Sequence, residues 1–295
     1  MEYSKIEGFE HVPLGYRPGH RVFWYVGKSA LLFLGLFFIW RVRIIGKPNL
    51  KRTQELRSQG AKILLDFDHF SSMDIPLPLI FMWWHGFPSL TRKMFFLIGY
   101  RWAERPLIKT ADRGYIFPPS EAKKIPKLRV GETYAGRRER VNTRNEAITR
   151  EVQISIDLLI EQLALGKLLW FSAHGTRQRS GVIECAPAPN AILLVKNGDW
   201  LTPIALEGTE RILPPQEPGN GLLKKCFLGI PRFWYPLTII VGEPRRCADI
   251  ESADELGLLR ARLHYDFGRK EMAGYYLHRL KQEEAEKKER VLVSV

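Results

Sequence analysis

The sequence predicts an α/β fold in which a central, mostly parallel sheet is flanked by helices. Short apolar runs at Lys62 to Asp66, Leu168 to Phe171, Leu201 to Leu206 and Leu237 to Val241 have the length of buried strands. Between the first two lies a segment of helical spacing, with Val152, Ile156, Leu159 and Leu163 on one face. Those two runs also break abruptly into polar and titratable groups, and sites in open α/β sheets gather at strand carboxyl ends.

Residues 1 to 22 are polar and proline-containing, with no basic start leading into an apolar core and a small-residue cleavage site. The run from Phe23 to Trp40 follows, about as long as a membrane span but interrupted by Lys28 and two glycines. A single span, a re-entrant segment, an in-plane interfacial helix and a buried helix all fit it. Arg41, Arg43, Lys47, Lys51 and Arg52 come next, so a span would leave the bulk of the chain in the cytoplasm.

Gly46 to Gly60 reads as a polar connector with one short helix, leading into the strand at Lys62 to Asp66. That strand ends in Asp66, Asp68, His69, Ser71, Ser72 and Asp74. Pro76 and Pro78 then limit where a helix can start. Phe81, Met82, Trp83, Trp84, Phe87 and the Met94 to Leu97 run are either core or an apolar wall beside the polar cluster. Leu107 and Ile108 lead to the charged pair Asp112 and Arg113. Gly114 to Asn142 has no periodicity and carries Arg137, Arg138 and Arg140, which suits a surface excursion, solvated or closing on lipid. Thr143 and Glu146 have capping-box spacing, and Gly166 stops the helix they begin. The strand at Leu168 to Phe171 opens into Ser172 to Gly181. Ser252 with Glu255 caps a C-terminal helical region, whose Lys281 to Arg290 segment is a solvated face or a fraying tail.

A net charge of +13 over 295 residues calls for an acidic partner. Large apolar residues are bunched at Phe23 to Trp40 and Ile75 to Tyr100 rather than interleaved with arginines. That pattern favours an anionic membrane face over nucleic acid. Cys185, Cys226 and Cys247 are odd in number without C-x-x-C spacing, which points to a reducing compartment rather than to a disulfide framework or a zinc knuckle.

His69 and Asp74 are the residue types of a general base: imidazole takes a proton while a carboxylate fixes its tautomer and stabilises the imidazolium. A turn with Gly175 and Gly181 lets backbone amides approach an anion, and nearby arginines bind phosphate in a bidentate fashion. A substrate hydroxyl deprotonated by His69 could then attack an activated acyl carbon, with apolar surfaces holding acyl chains.

The stretch Asp68-His69-Phe70-Ser71-Ser72-Met73-Asp74 resembles the N-H-x-S-x-x-D block of the glycerolipid acyltransferase family, whose best-known members acylate lysophosphatidic acid. Arg92 to Tyr100 is similar to the stretch which that family carries next. Asp112-Arg113 resembles the end of its second block, Ser172 to Arg177 its F-P-E-G-T-R block, and Thr202 to Ala205 its proline-centred fourth block. Order and approximate spacing agree over roughly residues 60 to 245.

The resemblance implies His69 as base with Asp74 supporting it, and Arg113 and Arg177 at the acceptor's phosphate, with Gly175 and Thr176 shaping the turn. It also implies an acyl thioester donor, on coenzyme A or acyl carrier protein, and a lysophospholipid acceptor such as 1-acylglycerol-3-phosphate. Neither a separate cofactor nor a metal is expected. The place would be the cytoplasmic face of a membrane, in phospholipid biosynthesis. On this reading 1–45 is an N-terminal segment with an apolar membrane-associated helix, 46–250 the acyltransferase domain and 251–295 a C-terminal helical extension. Asp68 stands where asparagine is usual, adding negative charge beside the base. His174 and Ala173 replace the family's glutamate and proline.

Two other readings fit parts of the pattern. A non-catalytic anionic-lipid-binding relative accommodates His174 and the basic surface. A metal-dependent hydrolase would use Asp66, Asp68, His69, Asp74 and His174 as ligands. For Asp66 alone, capping of the following turn is the local expectation.

Overall fold

Ile63–Phe67 is buried at every position, as expected of a strand covered on both faces of a sheet. It is the second strand, β2, of a computed structural model that describes residues 41–70, 74, 76–99, 114–117, 133, 136, 139, 142, 146, 153, 157, 159–174, 181–187, 191–212 and 235–293. The described residues of 41–94 and 166–293 form one unit and those of 95–165 another.

In the first unit the strands β1 (Val42–Ile45), β2, β5 (Leu168–Phe171), β6 (Trp200–Glu207) and β7 (Leu237–Val241) lie in the spatial order β1-β7-β6-β2-β5. β2 is parallel to β5 and to β6, pairing Asp66 with both Phe171 and Pro203. β1 is parallel to β7, whereas β7 and the short β8 (Arg245–Arg246) run antiparallel to β6. The carboxyl ends of β5, β2 and β6 therefore open on one edge. The mostly parallel sheet and the four strands read from the sequence are present, with ends within about one residue.

The connector at 46–60 holds more structure than its composition suggested. β1 precedes it, and α1 (Lys47–Ser58) fills most of it, burying Leu50, Thr53 and Leu56. Only these three positions face the sheet, so the apolar signal is thin. Gly46 has φ 79°, and a Cβ there would lie 2.1 Å from the Val241 carbonyl oxygen. Only glycine permits that approach of α1 to β7, which Asn49 Nδ2 seals by donating to the same carbonyl at 2.9 Å. Thr53 and Thr202 hydroxyls meet at 2.9 Å, joining α1 to β6 inside the core.

α2 (Pro76–Trp84) begins at the first of its prolines, where the missing N–H is harmless. α3 (Pro88–Lys93) follows, and α4 (Ala191–Val195) and α5 (Thr209–Ile212) flank β6 in the chain. α6 (Ala253–Asp266) starts at Ser252, whose side chain accepts from Glu255 N at 3.2 Å. The Glu255 carboxylate accepts in turn from Glu251 N, so the expected box is displaced by one residue. A 3-10 stretch (Lys270–Tyr276) leads into α7 (Leu277–Val293), which contains the whole Lys281 to Arg290 segment. The buried face of α6 carries Leu256, Arg260, Ala261, His264 and Tyr265.

The second unit contains β3 (Met94–Gly99) and β4 (Gly114–Phe117), parallel from Phe96–Gly114 to Gly99–Phe117. The start of the stretch read as a surface excursion, Gly114–Phe117, is therefore a strand, while Asp112 and Arg113 lie outside the described residues. Residues 159–164 are helical with Leu159 and Leu163 buried; Val152 and Ile156 fall outside the described residues. So does the Phe23 to Trp40 run. Among the described residues no helix is long and apolar enough to cross a membrane.

Candidate active site

β2 ends at Phe67, and the chain turns off the sheet edge at Asp68 and His69. His69 Nδ1 lies 3.2 Å from Asp74 Oδ2, with the Asp74 side chain fully buried and that of His69 25 % exposed. Nδ1–H therefore donates to the carboxylate, and Nε2 is the nitrogen left to take a proton. Phe67 packs edge-on to the imidazole at 6.0 Å and stacks on Trp170 of β5 at 4.8 Å. These contacts bring together the two residues that the sequence named as base and support. Glu210, on α5, is a further acid near Asp74: burial, with the Asp74 charge adding to it, raises its carboxyl, which accepts from Gly208 N at 3.0 Å.

Beneath this pair is a buried charge cluster that local sequence patterns did not disclose. Asp66, Asp68, His174, Arg260 and His264 are all buried, Arg260 and His264 completely. Arg260 Nη1 donates to the Phe67 carbonyl at 2.8 Å and to Asp68 Oδ1 at 3.3 Å. Its Nε sits 2.8 Å from Asp66 Oδ2, an ion pair whose N–H is not aligned for a hydrogen bond. Nη2 donates to His174 Nδ1. One helical turn on, His264 Nε2 meets Asp68 Oδ2 at 2.7 Å, and Leu206 N donates to the same oxygen at 3.2 Å. Ala173 N donates to Asp66 Oδ1 at 2.9 Å.

Asp66 is thus no turn cap, because its carboxylate joins β2 to the chain leaving β5 and to α6. Asp68 does not lie free beside His69, since Arg260, His264 and Leu206 N take up both its oxygens. His174, which stands where the family that the sequence resembles has glutamate, also has a physical role. His174 Nε2 pairs with the Cys185 carbonyl at 2.8 Å, so it carries the proton and Nδ1 is left as acceptor for Arg260. Burial first, then the Arg260 charge, pull the imidazole down to about 3, so the ring stays neutral. A glutamate there could not donate to Cys185 in its ionised form.

The electrostatics divide the two aspartates. Burial pushes Asp66 up to about 7 against the opposing pull of Arg260 and the Ala173 amide. Burial acts on Asp68 too, but His264, Arg260 and the Leu206 amide outweigh it and hold Asp68 below the ordinary carboxylate value. Two neighbouring carboxyls beside one guanidinium are close to neutral when one keeps its proton.

That division gives a pH prediction. Asp66 binds a proton in the native state between 3.8 and about 7, where the unfolded chain does not, so its contribution to stability is lost as pH rises through about 7. His174 contributes in the opposite sense: its share is full above 6.5 and is lost as pH falls towards about 3. Urea denaturation of wild type and Asp66→Asn across pH 4 to 7 isolates the first effect. The stability of wild type relative to the variant should fall over that range by more than about 1 kcal/mol. A pH-independent difference would refute the assignment.

The proposed phosphate group of residues, Arg113, Gly175, Thr176 and Arg177, lies outside the described residues. The ligand set of the metal reading does not converge: Asp66, Asp68 and His174 face a guanidinium while His69 and Asp74 face each other. Among the described residues no group of three or more His, Cys, Asp or Glu is placed to hold a metal ion. Cys247 is buried, which pushes its thiol up to about 12, and Cys185 is exposed.

No protein-family model matches the chain. No curated protein matches it either. Among solved structures it is similar to the 1-acyl-sn-glycerophosphate (LPA) acyltransferase PlsC from Thermotoga maritima, with 17% identity over 84% of this chain and 83% of that one and a TM-score of 0.49.

Proposed function

We propose that the chain is an O-acyltransferase that moves a fatty acyl group from an acyl thioester to a hydroxyl of a lysophospholipid such as 1-acylglycerol-3-phosphate. The observation that carries this reading is the His69–Asp74 pair at 3.2 Å, a buried carboxylate behind a partly exposed imidazole at the carboxyl end of a parallel strand. The resemblance of five sequence stretches to the glycerolipid acyltransferases, in order, supports the choice of substrate class.

In this mechanism His69 Nε2 takes the acceptor's hydroxyl proton as its oxygen attacks the thioester carbonyl. The tetrahedral intermediate collapses to the ester, and the departing thiolate receives the proton from the imidazolium. Asp74 holds Nδ1–H throughout and stabilises the charged ring. No metal or cofactor takes part. Arg113 and Arg177 pair with the acceptor phosphate, and Gly175 and Thr176 shape the turn around it. The donor's thioester is carried on coenzyme A or acyl carrier protein.

The same reading places the protein on the cytoplasmic face of a membrane, in phospholipid biosynthesis, with anionic lipids rather than nucleic acid as its surface partner. Exposed Arg43, Lys47, Lys51 and Arg52 at the start of the first unit suit such a surface. The test is a panel of lipid acceptors offered to the full-length protein with radiolabelled acyl-CoA and acyl-acyl carrier protein. Transfer to lysophospholipids, strongest with a phosphate head group, is expected. Liposome binding with no labelled product on any acceptor would leave a lipid-binding relative as the better account.

A further inference from the structure

We infer that Arg260 and His264 are positioning residues for His69, a role that rests on the acyltransferase reading for its kinetic readout but not for its geometry.

The cluster ties down three chain segments that leave the same sheet edge. Arg260 holds the last carbonyl of β2 at Phe67, together with Asp66 and Asp68. Through His174 it holds the segment that follows β5. Asp68 reaches the amide of Leu206 near the end of β6, and Asp66 that of Ala173 just beyond β5. Phe67 is two residues before His69 and Asp68 is its neighbour, so any movement of this anchor passes to the imidazole through one or two peptide units.

The pair it serves has little slack. At 3.2 Å, His69 Nδ1 and Asp74 Oδ2 are already beyond the roughly 2.7–2.9 Å of a strong charge-assisted bond. A further displacement of a few tenths of an ångström would release the ring. A second hazard is chemical. The Asp68 carboxylate is attached to the residue next to His69, and with an open oxygen it would be a rival acceptor for the ring N–H. Arg260 and His264, with the Leu206 amide, occupy both oxygens and so leave Asp74 as the acceptor. The negative charge that the sequence adds beside the base is thereby turned inward, into a cluster that keeps one strand end in register with two others.

A cluster that served stability alone would change melting without changing turnover per folded molecule. The full-length protein is therefore made as His264→Leu, His264→Gln and Arg260→Lys, and kcat and KM are measured well below each melting temperature, normalised to the folded fraction. We expect kcat to fall by about tenfold to a hundredfold in His264→Leu and Arg260→Lys with KM unchanged, since small misplacements of a catalytic group cost that much. His264→Gln keeps an N–H donor for Asp68 and should recover most of the loss. In parallel, NMR of ring-15N-labelled histidine, assigned with His69→Gln, should show the Nε2-basic, Nδ1-protonated form of His69 in wild type and its loss in His264→Leu. Wild-type kcat and an unaltered His69 ring signal in folded His264→Leu and Arg260→Lys overturn the inference. If His264→Leu does not fold, Arg260→Lys alone carries the same expectation and the same overturning result. Wild-type turnover in His69→Ala would instead remove the base, while the ring signals would still decide whether the cluster positions it.

Discussion

His69→Ala is expected to lower kcat for acyl transfer by at least about a hundredfold and up to about ten-thousandfold, the range for losing a positioned general base. The fold should survive, because the side chain stands partly exposed at the end of β2, where its ring pairs with Asp74 through Nδ1. Asp74→Asn should act in the same direction by a different route. It removes the charge that stabilises the imidazolium and can present an amide N–H to the ring, which favours the tautomer with Nδ1 as acceptor. The check is single-turnover transfer from labelled acyl thioester, with melting curves on the same preparations. Full turnover in folded His69→Ala would end the general-base mechanism.

The second large effect concerns stability. Arg260→Ala should destabilise the protein by about 3–5 kcal/mol, since breaking a buried ion pair from one side leaves charge without compensation. Here two carboxyls, Asp66 and Asp68, lose their guanidinium together, and the Phe67 carbonyl and His174 Nδ1 lose a donor. Asp68→Asn added to Arg260→Ala should restore part of the loss, because it removes the buried charge that the guanidinium offset. The two substitutions should be strongly non-additive in urea denaturation. A loss under about 1 kcal/mol for Arg260→Ala would mean that water or a rearranged side chain satisfies these groups instead.

Much of the fold was legible because buried strands announce themselves. Ile63 to Leu65, Leu168 to Phe171 and Ile239 to Val241 are continuous apolar runs, which is what two-sided coverage in a parallel sheet requires. The His69–Asp74 pair was legible because both members lie within one short local segment, where spacing limits geometry. β1 was not, since Val42–Ile45 includes exposed Arg43 and merges with the basic run around it. β4 was not, because four residues inside an aperiodic stretch give no pattern to count.

The charge cluster illustrates a different difficulty. Asp66 and Asp68 were visible as acids at a strand end, and a local turn is the nearest explanation for either. Their actual partners lie far along the chain, from Ala173, 107 residues from Asp66, to His264, 196 residues from Asp68. One signal was present in α6: Leu256, Arg260 and His264 recur every fourth residue on one stripe, so two polar groups sit where the helix turns its buried face. A buried stripe that carries an arginine and a histidine needs acids facing it, and the sequence held two candidates at the end of β2.

That separation also sets an order of events during synthesis. Asp66 and Asp68 leave the ribosome long before Arg260. Until α6 emerges, closing the edge of the sheet would bury two acids with no cation to meet them, so these strand ends should stay hydrated while the upstream elements are already made. Assembly of the catalytic edge then becomes a late, long-range closure, slower than helix or hairpin formation. A nascent chain halted before Arg260 would carry its His69 on an unfinished sheet edge and, on the proposed function, should not transfer acyl groups until α6 arrives.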